Sequence, residues 1–419
     1  MYIQLEVGWL RHPFPVNSFR IVSEAQLQTV QALGLEAVRI FPDKSMLNSE
    51  PPSDAQQAEG AVAQVAQAAE TAQAEGAAAQ AGQGAEAMQA PPGRGAGDAR
   101  HWSKRQHQRC DDRFRAAAQR YGQLQACAAA QPEQAMAQSH ALVTDYLEDV
   151  LPAGDLVIRL LSENSGQGQA EHPVNVSVLS LLLGRALGMT ATDLYELGMA
   201  ALLHDIGKGS APAAALPRAQ YERHVGDSVA LASSMGVSGN VLTAMAQHHE
   251  FADGTGFPLH LIDEDLSMAG KVLCLVNCYD RLCNPEFAQE GQTPHEALAI
   301  LYAQFRPRFD ASILGAFIRM MGIYPPGSVV QLVDGRFAMV VSVNSSRPLK
   351  PQVLVYDALV PMAQAQPLDL EKNPHVVIRR SLRPDQLPRD ALSSLSPLHR
   401  ICYFFERAVD PGTSAVTAL

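Results

Sequence analysis

Ala200-Ala-Leu-Leu-His-Asp-Ile-Gly-Lys208 is an apolar helical run that ends on adjacent His204 and Asp205 and breaks at Gly207. A charged carboxylate behind two leucines is costly to bury unless it is paired or metal-bound. One imidazole beside one carboxylate can serve two metals, because the carboxylate has two oxygens and can bridge. Further along, Val241, Leu242, Met245, His248 and His249 stand at i, i+1, i+4, i+7 and i+8, so the histidine pair continues the buried stripe of its helix. Two consecutive imidazoles on an apolar face, ending at a Gly-rich turn, read as metal ligands. His172 precedes Pro173 at the start of an apolar helix, and His224 lies between the two strong motifs. Taken singly, either also reads as structural. Taken in order, His172, His204-Asp205, His224 and His248-His249 make the ligand set of a binuclear centre, suited to divalent iron or manganese more than magnesium.

Outward from these motifs the pattern is helical, and the fold class is mainly α. Expected helices cover 112–130, 133–150, 173–187, 191–204, 237–249, 268–283, 294–305 and 311–321 within a helical domain spanning 101–322. The period then switches. Ser328–Val333 and Arg336–Val343 flank Asp334-Gly335 as a β-hairpin, and further strands at 352–356 and 375–378 complete a small β appendage over 323–380. The tail, 381–419, is expected to dock back as a helix around Ile401-Cys-Tyr-Phe-Phe405. At the other end, residues 1–47 form a small α+β domain, with strands at 2–7 and 37–41 and a helix over 24–33. Between them lies a linker, 48–100. From Ala55 to Ala90, 16 of 36 residues are Ala and 8 are Gln, with no aromatic residue. Such a tract buries too little apolar area to offset its ordering entropy.

The 419 residues suggest two or three domains, and 47% apolar content suffices for a sizeable core. A formal charge of −11 argues against a surface built mainly to bind nucleic acid or an anionic membrane. No apolar stretch reaches the roughly 20 residues of a membrane span. With no signal-peptide pattern and six cysteines at no framework spacing, the expectation is free thiols in a cytoplasmic protein.

The segments Leu202-Leu-His-Asp-Ile-Gly-Lys208 and His248-His-Glu-Phe-Ala-Asp-Gly-Thr-Gly-Phe-Pro258, supported by Lys271-Val-Leu and Tyr279-Asp280, resemble the HD-GYP family of metal-dependent cyclic di-GMP phosphodiesterases. The N-terminal segment resembles the uncharacterised domain that often precedes HD-GYP domains. The resemblance implies an HD-type helical bundle that hydrolyses cyclic di-GMP to pGpG or GMP in bacterial signalling. It places His172, His204 and Asp205 on one metal, with Asp205 bridging to a second held by His224, His248 and His249. Lys208 matches a lysine near the scissile phosphate; the bland alternative is a cation at a helix C-terminus. Asp253, Gly254, Gly256, Phe257 and Pro258 match the signature loop, with Phe257 in place of tyrosine. Lys271 and Arg281 are candidate phosphate contacts.

Three departures qualify this. Asn277 stands where the family has a last metal-ligating Asp, and Asp280, one turn on, is either a replacement ligand or an outer group. Gly168 stands where some members place a third-metal Glu, so at most two metals are expected. The spacer from His204 to His224 is short for the family. Two rivals therefore remain: a degenerate member that binds cyclic di-GMP or a GGDEF-type diguanylate cyclase without turnover, and a phosphohydrolase of another nucleotide. Pairing as a homodimer is left open.

Overall fold

The computed structural model describes residues 2–4, 18–20, 39–40, 96–161, 170–208, 217–285, 291–360, 365–395 and 400–408, with side chains of the first long helix from residue 108 onward. The expected helix over 24–33, the linker up to residue 95, and Gly168 lie outside these residues. The chain divides into two units, Met1–Ala90 and Pro91–Leu419. In the first, β1 (Tyr2–Gln4) pairs antiparallel with β2 (Ser18–Arg20) on one side and β3 (Arg39–Ile40) on the other. Strands β1 and β3 fall within the expected strands 2–7 and 37–41, and β2 lies outside any expected element.

The second unit is a helical bundle joined to a sheet. Its described helices are α1 (Ala96–Cys127), α2 (Pro132–Val150), α3 (Glu171–Ala186), α4 (Ala191–Leu203), α5 (Arg218–Ser234), α6 (Gly239–Ala246), α7 (Met268–Cys283), α8 (Pro294–Ala303), α9 (Ala311–Met321) and α10 (Arg389–Leu395). Helix α1 begins inside the segment expected to be linker. Residues 98–121 contain neither Gly nor Pro, so nothing stops the helix from running back past 101. Helix α3 is the axis of the bundle. It is buried at every position from Pro173 to Gly184 and packs against α1, α2, α4, α7 and α9. Its Val- and Leu-rich sequence, apolar all round, suits that central place. Helix α7 begins on a Ser267 side chain that accepts from the Gly270 N–H, and α9 on an Asp310 carboxylate that accepts from Ser312 and Ile313 N–H.

The sheet corrects the expected appendage. Its path is β10 (Tyr403–Arg407), β4 (Leu156–Leu160), β6 (Phe337–Asn344), β5 (Val329–Leu332) and β9 (Ile378–Leu382), with β7 (Gln352–Val355) beside β6 and β8 (Pro367–Asp369) beside β7. The Asp334-Gly335 hairpin is present, and Gly335 takes φ 89°. Strand β4 comes from the region read as helical, and the tail forms strand β10 rather than a helix. Both are five-residue strands, with four and three apolar or aromatic residues respectively, too short for their periodicity to separate strand from buried helix. Alternation along β6 sends Met339 and Val341 into the helical core and Ala338 and Val340 into a second core under β5 and β7. The parity flips past a register shift between Val340 and Ser342, so Val343 also joins the second core.

Candidate metal centre

Helix ends and turns converge on Asp205. Helix α4 delivers His204 at its C-terminus and Asp205 in the turn beyond. Gly207 lets that turn lie against α5: its N–H donates to the Ser228 hydroxyl at 3.0 Å, and a Cβ there would sit 2.5 Å from the Ser228 backbone nitrogen. That approach sets His224, one turn before Ser228, beside the carboxylate. Helix α6 ends at Ala246 and hands on His248 and His249, while His172 lies in the first turn of α3.

Each of four rings is held by the nitrogen it does not present. The Nδ1–H of His204 donates to the Ala201 carbonyl at 2.8 Å, that of His248 to Met245 at 2.6 Å, and that of His224 to Tyr221. His172 Nδ1 pairs with Asp280 Oδ2 at 2.5 Å. A carbonyl or carboxylate can only accept, so these rings carry a proton on Nδ1 and turn Nε2 inward. His172 Nε2 and His204 Nε2 stand 3.2 Å apart, and His224 Nε2 and His248 Nε2 3.3 Å. At that separation each pair of nitrogens can share a metal ion or a proton.

Asp205 sorts the two pairs. Its Oδ1 lies 3.3 Å from His224 Nε2 and 3.6 Å from His248 Nε2; its Oδ2 lies 3.7 Å from His204 Nε2 and 3.8 Å from His172 Nε2. Oδ1 is buried without a hydrogen-bond partner. One donor atom each from Asp205, His224, His248 and His249 fall within 4.8 Å of one another, as do those of His172, His204 and Asp205. The donor set therefore fits a divalent metal. Burial pushes the pKa of His204, His248 and His249 down, against the pull of the Asp205 charge, so these rings stay neutral and available as ligands. Burial works against ionisation of Asp205, but the surrounding imidazoles, His204 foremost, and the Arg281 guanidinium hold its carboxyl well below the usual carboxylate range.

The other expected residues separate into those near this cluster and those away from it. Lys208 Nζ is 3.5 Å from Asp205 Oδ2 and 5.8 Å from the centre of the Tyr221 ring. Phe257 stacks on His249 with ring centres 4.5 Å apart. Gly256 permits the loop to double back: a Cβ there would lie 2.5 Å from the His249 carbonyl oxygen and 2.5 Å from Glu250 Cα. Gly254 takes φ 75°. Asp253 turns inward on its own loop, accepting from Thr255 N–H at 3.0 Å and Thr255 Oγ1 at 2.6 Å, and Pro258 follows the stacked Phe257. Asn277 is buried; its Oδ1 accepts from Arg281 Nε at 3.2 Å, and Arg281 Nη2 donates to Asp205 Oδ2 at 2.9 Å. Arg281 thus meets the centre itself, whereas Lys271 pairs with Asp263 at 2.7 Å. Six residues before Asn277, Lys271 points about 120° away around α7.

Three side chains that the sequence gives no role, or an open one, also meet the cluster or its loop. Asp280 orients His172 and also accepts from Asn175 and Asn284, which makes it an outer carboxylate. Tyr221, one turn before His224, supports that ring through its carbonyl and places its hydroxyl 3.5 Å from His249 Nε2. Glu250, inside the quoted His-His-Glu run, accepts from Leu259 N–H at 2.6 Å and Leu261 N–H at 3.0 Å and ties down the signature loop.

A helical bundle that closes a His-Asp pair inside a ring of further histidines is an HD-type domain, and residues 155–313 match the HD domain family. Curated relatives that match the chain include cyclic di-GMP phosphodiesterases, in keeping with the HD-GYP resemblance of its motifs. Residues 1–150 match a domain of unknown function, DUF3391, and residues 329–389 a KOW domain associated with the HD domain. Over 236 residues the chain is 30% identical to the cyclic di-GMP phosphodiesterase PA4108 of Pseudomonas aeruginosa, covering 53% of this chain and 57% of the relative. Over 191 residues it is 26% identical to the cyclic di-GMP phosphodiesterase PdeB of Borreliella burgdorferi, covering 43% and 50%. Over 199 residues it is 25% identical to the 3'3'-cGAMP-specific phosphodiesterase 3 of Vibrio cholerae, covering 45% and 42%. The chain spans about half the length of the curated relatives it matches.

Proposed function

We propose that the chain is a metal-dependent phosphodiesterase of cyclic di-GMP. The observation that carries this reading is Asp205, an ionised, buried carboxylate whose two oxygens face two separate groups of imidazoles. The names of the curated relatives support the substrate. His172, His204 and Asp205 Oδ2 form one side of the centre; Asp205 Oδ1, His224, His248 and His249 form the other. When bound there, iron or manganese supplies Lewis-acid polarisation of a phosphoryl oxygen and a nucleophile at neutral pH. The chain's own residues do the rest. Asp280 and the helical carbonyls keep the rings in register. Lys208, held between Asp205 and the Tyr221 ring, offers its ammonium to the charge that develops on the phosphate. Phe257 packs over His249 and fixes the signature loop beside the centre.

The test is metal content measured together with hydrolysis of cyclic di-GMP and of 3'3'-cGAMP, after chelation and anaerobic reloading with Fe(II) or Mn(II). Hydrolysis of cyclic di-GMP is expected to follow the metal. Asp205→Ala should lose metal and turnover together, the latter by about 10²-fold or more, while keeping its helical signal. Turnover that survives chelation or Asp205→Ala would overturn the reading. The Asn277–Arg281 contact favours a second one, in which the chain binds cyclic di-GMP without cleaving it. Saturable binding with no product from the metal-loaded protein would select it.

A further inference from the structure

We infer that Arg281 is a built-in cation of the centre: its guanidinium closes the Oδ2 side of Asp205 to a metal ion, and the chain loads one divalent metal, on the Oδ1 side. This rests on the metal-centre reading above and deepens it. Arg281 stands four residues after Asn277 on α7, so both project from one helix face. The Nε–Nη2 edge of its planar fork satisfies two acceptors at once, Asn277 Oδ1 at 3.2 Å and Asp205 Oδ2 at 2.9 Å.

The two carboxylate oxygens are therefore in opposite electrostatic settings. Oδ2 has a guanidinium at 2.9 Å and the Lys208 ammonium at 3.5 Å. Oδ1 has no hydrogen-bond partner, and its near neighbours are imidazoles. A dication on the Oδ2 side would share its only carboxylate oxygen with two fixed positive charges, in a buried setting where like-charge repulsion is poorly screened. Asn277 cannot offset this, because it is neutral and its oxygen already accepts from Arg281. Asp280 cannot replace it either, since its oxygens are taken by His172, Asn175 and Asn284. The Oδ1 side, by contrast, gathers four donors against three.

The experiment adds Mn(II) to the chelator-stripped full chain and reads stoichiometry by calorimetry and elemental analysis, with electron paramagnetic resonance to detect coupled ions. The wild type is expected to bind one equivalent tightly and show an isolated ion. Arg281→Ala is expected to bind two and show a coupled pair. Arg281→Met, which keeps the stem and removes the charge, makes the same test if the alanine variant fails to fold. Two tight equivalents in the wild type would overturn the inference and leave the metal centre standing. One equivalent in wild type and variants alike would also overturn it, because Arg281 would not be what closes the side. No tight binding in any of them would remove the metal-centre reading, and the inference with it.

Discussion

Gly256 shows how one missing side chain supports the site. The signature loop folds back so tightly that a Cβ there would meet the Phe251 backbone nitrogen, Glu250 Cα and the His249 carbonyl oxygen. All three are backbone atoms or carry the chain of a metal-centre residue, so none can swing aside as a flexible side chain would. Gly256→Ala should therefore cost about 1–3 kcal/mol, the usual range for overpacking. It should also weaken metal binding, since the Phe257–His249 stack depends on the same turn. A melting temperature and a metal affinity equal to wild type would show that the loop opens without penalty. Gly207 carries the same logic for the His204-Asp205 turn, with α5 as the surface approached.

Strand β10 acts on the centre without touching it. It pairs with β4 from Tyr403↔Leu160 to Arg407↔Leu156, and it buries Tyr403, Phe404 and Phe405. Its approach is pinned by two asparagines. Asn175 of α3 accepts from the Tyr403 N–H at 2.7 Å and donates to the Ile401 carbonyl at 3.2 Å; Asn284, just past α7, donates to that carbonyl at 2.8 Å. The same two amides donate to Asp280, the carboxylate that orients His172. Phe404→Ala is expected to destabilise by about 3–5 kcal/mol, read by denaturant unfolding. Deleting residues 401–419 should do more, by baring the β4 edge and the core beneath it. A truncated chain melting within a few degrees of the full one would show that the strand is dispensable.

Across the described residues, every one of the six cysteines is a free thiol. Burial pushes Cys110 up to about 12 and Cys278 up to about 11. At pH 8 about one in a thousand of these thiols, or fewer, is the reactive thiolate. Alkylation of the native protein at pH 8 should leave Cys110 and Cys278 unmodified over a time that fully labels the denatured chain. Fast native labelling of Cys110 would mean that α1 separates from the core that buries it. The same packing keeps the Tyr279 and Tyr403 hydroxyls hydrogen-bonded to each other at 2.9 Å and pushes both far above the ordinary phenol range by burial. These groups hold α7 and β10 together as one body with α3.

Helices α7 and α9 begin and end where the periodicity places them, because stripe, cap and stop are all written within a few neighbouring residues. The His204-Asp205 and His248-His249 pairs were legible for the same reason: a polar pair at the end of an apolar stripe is a local anomaly. Helix α5 was not legible, although it carries His224, because its opening Arg218-Ala-Gln-Tyr-Glu-Arg turn has little apolar periodicity and few of its residues are buried. The pairing of β4 with β10 was not legible either. A five-residue run specifies neither that it is a strand nor which run far along the chain will take its free N–H and C=O groups. The roles of Asp280 and Arg281 belong to the same class. Their position beside Asn277 on one helix face is written in the sequence, but Asp280 gains His172 and Arg281 gains Asp205 only when α3, α4 and α7 pack, since hydrogen bonds form between atoms that the fold, not the spacing, brings within 3 Å.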